Sequence, residues 1–216
     1  MTIQLYYAPG ACSFVPHGLL EIAGATFEPR PVKLHKGEQA TPEYLAINPR
    51  GQVPVLVVDG QPINQIVAIV TYINDAVAGG RFLPPEPLAK AKALQTLAWF
   101  NNTVHPTFTH VFMPQKFADD KAAQSAIRST NIGKYREHLV EIDAMCATAE
   151  PWLGGAEIGP LDLYALTLMR WGGFAGIGPK SWAHLWPHAN KVAQHPGVAR
   201  AVERERLELD VKPIAS

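Results

Sequence analysis

Ile47-Asn48-Pro49-Arg50-Gly51-Gln52-Val53-Pro54-Val55-Leu56-Val57-Val58 sets a proline at the mouth of an apolar, β-branched run. Proline has no N–H to give a sheet ladder, so Pro54 reads as the first residue of a strand and not as part of its interior. The Gly51-Gln52 turn before it makes Val53-Pro54 a plausible cis peptide bond. With the ladder interrupted there, the N–H and C=O of Val53 face outward. Exposed main-chain groups at a strand mouth suit an extended peptide that docks as a short extra strand.

Upstream, Ile3-Gln4-Leu5-Tyr6-Tyr7 is a short aromatic and branched run closed by Pro9-Gly10, the pattern of a strand and turn. Ser13 offers a cap to a helix in which Val15, Leu19 and Ile22 share a face, Pro16 falls in the first turn and Gly24 ends the run. A second strand reads over 27–34. Thr41-Pro42-Glu43 opens a short helix that Asn48-Pro49 ends. Downstream, Asp59-Gly60 turns the Pro54 strand back into Gln61-Pro62-Ile63 as a hairpin. Asn64 then caps a helix with Ile66, Ile69, Val70 and Ile73 on its inner face. Residues 1–78 therefore read βαβαββα, a thioredoxin-like domain.

Residues 79–87 are rich in glycine and proline and read as a linker. Beyond them, over 88–216, the patterning is helical only, so the fold class expected is α/β followed by an all-α domain. Leu94, Leu97, Ala98, Asn101, Val104, His105 and Phe108 share one face, and Pro106 predicts a kink just after His105. A long helix follows over 120–149. Pro160 and Asp162 mark another helix start, with Ile158 and Leu163 as a hydrophobic staple. Two shorter helices read over 184–194 and 197–205.

Composition narrows the function. The net charge of the 216 residues is zero and no basic patch dominates, which argues against nucleic acid or an anionic membrane surface as partner. Neither a basic start before an apolar run nor an apolar stretch of spanning length is present, so a cytoplasmic protein is expected. The two cysteines, Cys12 and Cys146, are too few for a disulfide framework and read as free thiols. His184 and His188 are disturbed by Pro187 and lack a third ligand, so no metal is expected.

Tyr6-Tyr7-Ala8-Pro9-Gly10-Ala11-Cys12-Ser13, taken with Asn48-Pro49-Arg50-Gly51-Gln52-Val53-Pro54, resembles the glutathione transferase superfamily, bacterial beta class, and the resemblance runs from Ile3 to about Arg200. It implies glutathione as co-substrate, a small electrophile or mixed disulfide as second substrate, and a homodimer. Gln52, Val53, Pro54, Gln65 and Ile66 would then hold glutathione. Where the family usually has a serine or small residue, Ile66 brings no hydroxyl and a branched bulk, which weakens the site for the γ-glutamyl carboxylate.

Cys12 lies between a strand end and a helix N-terminus, where oriented N–H groups lower a thiol's pKa, and the resemblance makes it the thiol that meets the bound sulfur. No second cysteine follows it, which excludes a two-thiol exchange mechanism. Thr103-Val104-His105 matches the family segment whose histidine faces the thiol, so His105 is the implied proton acceptor. Tyr6 and Tyr7 compete for the role of holding the thiolate, or are core aromatics. Phe108, Phe112, Trp171 and Phe174 are candidates for the second-substrate pocket. Two alternatives stay open: a non-catalytic transferase-like protein that binds ligands or partners, and a glutaredoxin-like thiol–disulfide oxidoreductase.

Overall fold

The computed structural model describes residues 1–213. Its first part is a four-stranded sheet of β1 (Ile3–Tyr7), β2 (Glu28–Pro31), β3 (Val55–Val58) and β4 (Gln61–Asn64), in the order β2-β1-β3-β4. β1 runs parallel to β2 and antiparallel to β3, with Leu5 opposite Leu56, and β3 and β4 form the antiparallel hairpin. Asp59 and Gly60 both take positive φ, 46° and 81°, as a two-residue hairpin turn matching strand twist requires. The second strand is shorter than 27–34 and is an edge strand. Pro29 and Pro31 carry no N–H, so these residues pair with β1 alone and Leu34 passes into a 3₁₀ turn.

Between the strands lie α1 (Phe14–Ala23), α2 (Pro42–Ile47) and α3 (Ile66–Tyr72), the last continuing as a π-turn over Ile73–Val77. Thr41 caps α2 by accepting the Tyr44 N–H at 3.3 Å, as its sequence position implies. Two other caps differ from expectation. Ser13 stands at the cap position of α1, but its hydroxyl accepts the Ala8 N–H at 3.0 Å and serves the preceding loop. Asn64 is still paired in β4, and the residue before α3 is Gln65, with φ 72°.

The rest is helical: α4 (Pro87–Trp99), α5 (His105–Phe112), α6 (Lys121–Ala147), α7 (Pro160–Phe174), α8 (Leu185–Gln194) and α9 (Pro196–Glu205). The expected kink lies before His105 instead of after it, as a π-turn over Phe100–Val104. Pro106 has no N–H for the carbonyl one turn back and its ring collides with that carbonyl, so the wider turn forms on the N-terminal side. Among the described residues no strand follows β4, and the last helix ends at Glu205.

α1 is the hub. Phe14, Val15, Pro16, His17, Gly18, Leu19, Leu20 and Glu21 are all buried, so the helix has no solvent face over two turns. It packs on α7 and α9 and also on α3. A helix buried all round must be shared between layers. That is how the loop before α1 comes to lie between sheet and helices. Among the described residues, no helix is long and apolar enough to cross a membrane.

Candidate functional site

The loop between β1 and α1 is fixed at three points. The Ser13 hydroxyl bridges the N–H and C=O of Ala8. The Gly10 N–H donates to Glu205 at 2.8 Å, and the Gly10 carbonyl accepts the indole N–H of Trp171, also at 2.8 Å. Gly10 has φ 73°, which a residue with a side chain rarely adopts, and its missing side chain leaves room for the Arg170 guanidinium. The loop delivers Cys12 to the mouth of β3, where its thiol donates to the carbonyl of Val53 at 3.7 Å.

Cys12 is nearly sealed, at 7% exposure. Burial pushes its pKa up to about 12; the main-chain N–H groups of Cys12 and Ser13 pull the other way, and Glu205 adds to the rise. The expectation of a lowered pKa is therefore corrected: the helix N-terminus is present, but desolvation outweighs it. Cys12 is a protonated thiol at neutral pH.

Val53-Pro54 is cis. The Gln52 carbonyl is occupied by the Tyr44 hydroxyl at 2.7 Å and the Asn48 amide at 2.8 Å, while the Gln52 side chain is exposed. Among the described residues no acceptor meets the Val53 N–H. Gln65 is exposed, in a backbone conformation rare for a residue with a side chain. Ile66 is 3% exposed and belongs to the core. Its bulk thus lies inside and not over the helix N-terminus, which corrects the expectation of steric blockage; the missing hydroxyl remains.

His105, at the start of α5, is tied to this loop through Trp171. Its Nδ1 is 3.0 Å from the Tyr164 hydroxyl, and its ring stands edge-on to Trp171 at 4.7 Å. Burial, and then the positive charge of Lys116, hold its pKa down at about 4. Trp171 stacks on Phe108 at 4.9 Å, Phe108 on Phe112 at 5.5 Å, and Phe112 lies 6.0 Å from Phe174. The four aromatics read from the sequence form one row. Trp171 and Phe108 are buried as its floor, Phe112 is exposed and Phe174 half-buried. Trp171 joins the two halves of the site, with its N–H on Gly10 and its ring against His105.

Tyr6 packs against Tyr44, and Tyr7 against His17 at 4.9 Å; neither phenol hydrogen-bonds to Cys12 or Val53. Three residues of the cluster, Glu205, His17 and Tyr164, carry no local sequence signal, and a fourth, Asn101, carries a weak one. Glu205 and His17 are a fully buried pair 2.6 Å apart, 188 positions apart in the chain. Tyr164 hides in the apolar run of α7. Asn101 lies one helical turn before His105 on the same face, and that shared face was the one available clue. Concavities of ≈ 430 and ≈ 480 Å³ lie elsewhere, beside β2 and α2 and between α4 and the end of α6, and neither contains Cys12 or His105. The Cys12–Val53–His105 region is favoured over them because Cys12 meets the half-buried Val53 at the strand mouth and Trp171 ties His105 to the loop that carries the thiol. No group of three or more metal-ligating side chains occurs among the described residues.

Residues 1–75 match the family model for the glutathione S-transferase N-terminal domain. A sphingomonad glutathione S-transferase, solved as a complex with glutathione, is 30% identical, covering 95% of this chain and 100% of its own, with a TM-score of 0.81. The bacterial beta-class glutathione S-transferase of Sphingomonas chungbukensis is 27% identical at the same coverage, with a TM-score of 0.80. Glutathione S-transferase GstA of Escherichia coli O157:H7 is 28% identical over 209 residues, 95% of this chain and 100% of the relative.

Proposed function

The chain belongs to the glutathione S-transferase family, and on that premise we propose that it binds glutathione and promotes attack of the glutathione thiol on a small electrophile or mixed disulfide. The observation that carries this reading is the contact of Cys12 with Val53. A docking edge and a sulfur site coincide there, with the Cys12 thiol 3.7 Å from the carbonyl that an extended peptide would claim. Glutathione pairing with Val53 displaces that thiol, which turns its S–H toward the incoming sulfur as a hydrogen-bond donor.

Gln65 and the free N–H groups at the start of α3 hold the γ-glutamyl end, and Gln52 and Pro54 shape the edge. The glutathione S–H bond breaks as the sulfur forms a bond to the electrophile. Its proton passes to Nε2 of His105, and the displaced electron pair leaves with the departing group or stays on the acceptor. With a histidine pKa near 4, complete proton transfer from a thiol before attack is uphill by on the order of 6 kcal/mol. His105 therefore accepts the proton as the bond forms. A thiol–disulfide enzyme needs Cys12 as a resting thiolate, and its raised pKa disfavours that alternative.

The row Phe108, Phe112, Trp171 and Phe174 takes the electrophile. Residues 1–78 act as the glutathione domain and 88–216 as the second-substrate domain, in a cytoplasmic homodimer suited to detoxification. Calorimetric titration with reduced glutathione tests the reading. Binding in the micromolar to low-millimolar range is expected, with Gln65→Ala about tenfold weaker. Absence of binding at about 10 mM ligand would remove glutathione as the substrate.

A further inference from the structure

Tyr164 and Asn101 form a hydrogen-bonded chain behind His105 that nothing in the catalytic reading requires. The Tyr164 hydroxyl is fully buried, 3.2 Å from Asn101 Oδ1 and 3.0 Å from His105 Nδ1. The Asn101 amide is oriented by its own N–H₂, which donates to Asn102 Oδ1 at 2.8 Å, leaving Oδ1 as an acceptor toward the phenol. A phenol has one proton. Given to Asn101, it leaves only an oxygen lone pair facing His105, and Nδ1 must then carry the hydrogen.

We infer that Asn101 and Tyr164 are positioning residues that fix His105 as the Nδ1–H tautomer, so that Nε2 presents the lone pair to the thiol. Among the described residues Nε2 has no hydrogen-bond partner, and it is not among the buried unpartnered atoms, so it keeps some access to solvent. Burial of the phenol keeps its proton in place, since its pKa lies well above the ordinary tyrosine value. The π-turn over Phe100–Val104 sets Asn101 and His105 on one face of the distorted helix, both against α7. The inference rests on the reading of His105 as proton acceptor, but its central observable does not.

The test is nitrogen-15 NMR of the imidazole rings in the full-length protein at neutral pH, with His105 assigned from the His105→Gln spectrum. The expected wild-type signal is a neutral ring protonated at Nδ1. Tyr164→Phe and Asn101→Ala should move the ring toward the Nε2–H form and lower kcat on the order of tenfold, with KM for glutathione within about twofold. Asn101→Asp, which keeps the acceptor, should retain the wild-type tautomer. A wild-type ring protonated at Nε2, or a tautomer unchanged in Tyr164→Phe, overturns the inference. An unchanged rate in His105→Ala overturns the catalytic reading instead, whatever tautomer the spectrum shows.

Discussion

At neutral pH the Cys12 thiol keeps its proton and the His105 ring stays uncharged, because burial opposes the charged form of each. The two shifts act on opposite sides of neutrality. For His105 burial holds the folded pKa at about 4, below the ordinary histidine value of 6.5. Between those limits the unfolded chain takes up a proton that the folded one refuses, so this contribution is whole above the upper limit and is lost as pH falls toward the lower. It amounts to on the order of 1–3 kcal/mol. Cys12 and Cys146, each raised from 9.0 to about 12, work in reverse, and their stabilisation is lost as pH rises through that window. Denaturant midpoints measured against pH should show a plateau near neutrality with a falling limb on each side. His105→Leu should flatten the acid limb, and an equal acid slope in wild type and variant would contradict the assignment. Residue types at the site were legible where the chemistry is local: Val53 beside a cis proline, Cys12 at a strand end, His105 on a helix face. The protonation states were not, because they depend on what packs around those atoms.

Asp162 shows how a helix end is made and how far a motif reveals it. Pro160 at the first helical position and an acid at the third were readable, and Asp162 does accept the Gly159 N–H at 2.9 Å. Gly159 has no side chain, so only this half of a capping box exists. The other carboxylate oxygen accepts the Leu153 N–H at 2.9 Å and faces His188 Nε2 at 2.8 Å. No spacing rule connects those partners to Asp162, because they come from a loop and from α8. Asp162 is fully buried, and removing its carboxylate strands three polar groups. Asp162→Ala should cost about 3–5 kcal/mol, and Asp162→Asn about 1–3, since the amide keeps part of the bonding. Chemical denaturation of the two variants measures this. A loss below about 1 kcal/mol for alanine would mean that the partners find other acceptors. Ser13 was misread as a cap for the same reason, a polar side chain with a better partner than the nearest helix end, whereas Asn64 was misread because its backbone still belongs to β4.

At the scale of the molecule, the two parts of the chain share one core through α1, although sequence periodicity showed only one apolar stripe on that helix. The rest of its surface is covered by contacts too distant in sequence to leave a pattern. Gly197, at the start of α9, touches the main chain of α1: a methyl group there would stand 2.7 Å from the Ile22 Cα and 2.8 Å from its N. Backbone atoms cannot rotate aside as a side-chain tip can, so Gly197→Ala must push α9 off α1. Gly133, inside α6, is exposed, and a methyl group there meets nothing within 4 Å. The same substitution therefore has opposite signs at two helical positions. Gly133→Ala should stabilise by about 0.5–1 kcal/mol through helix propensity. Gly197→Ala should destabilise by about 1–3 kcal/mol despite that same gain. Because the core runs through both parts, each variant should still unfold in one transition. Calorimetry reads both signs and the transition shape together. If Gly197→Ala splits the transition in two, α1 does not couple the sheet to the helices; if it stabilises, the close approach of α9 to α1 is wrong.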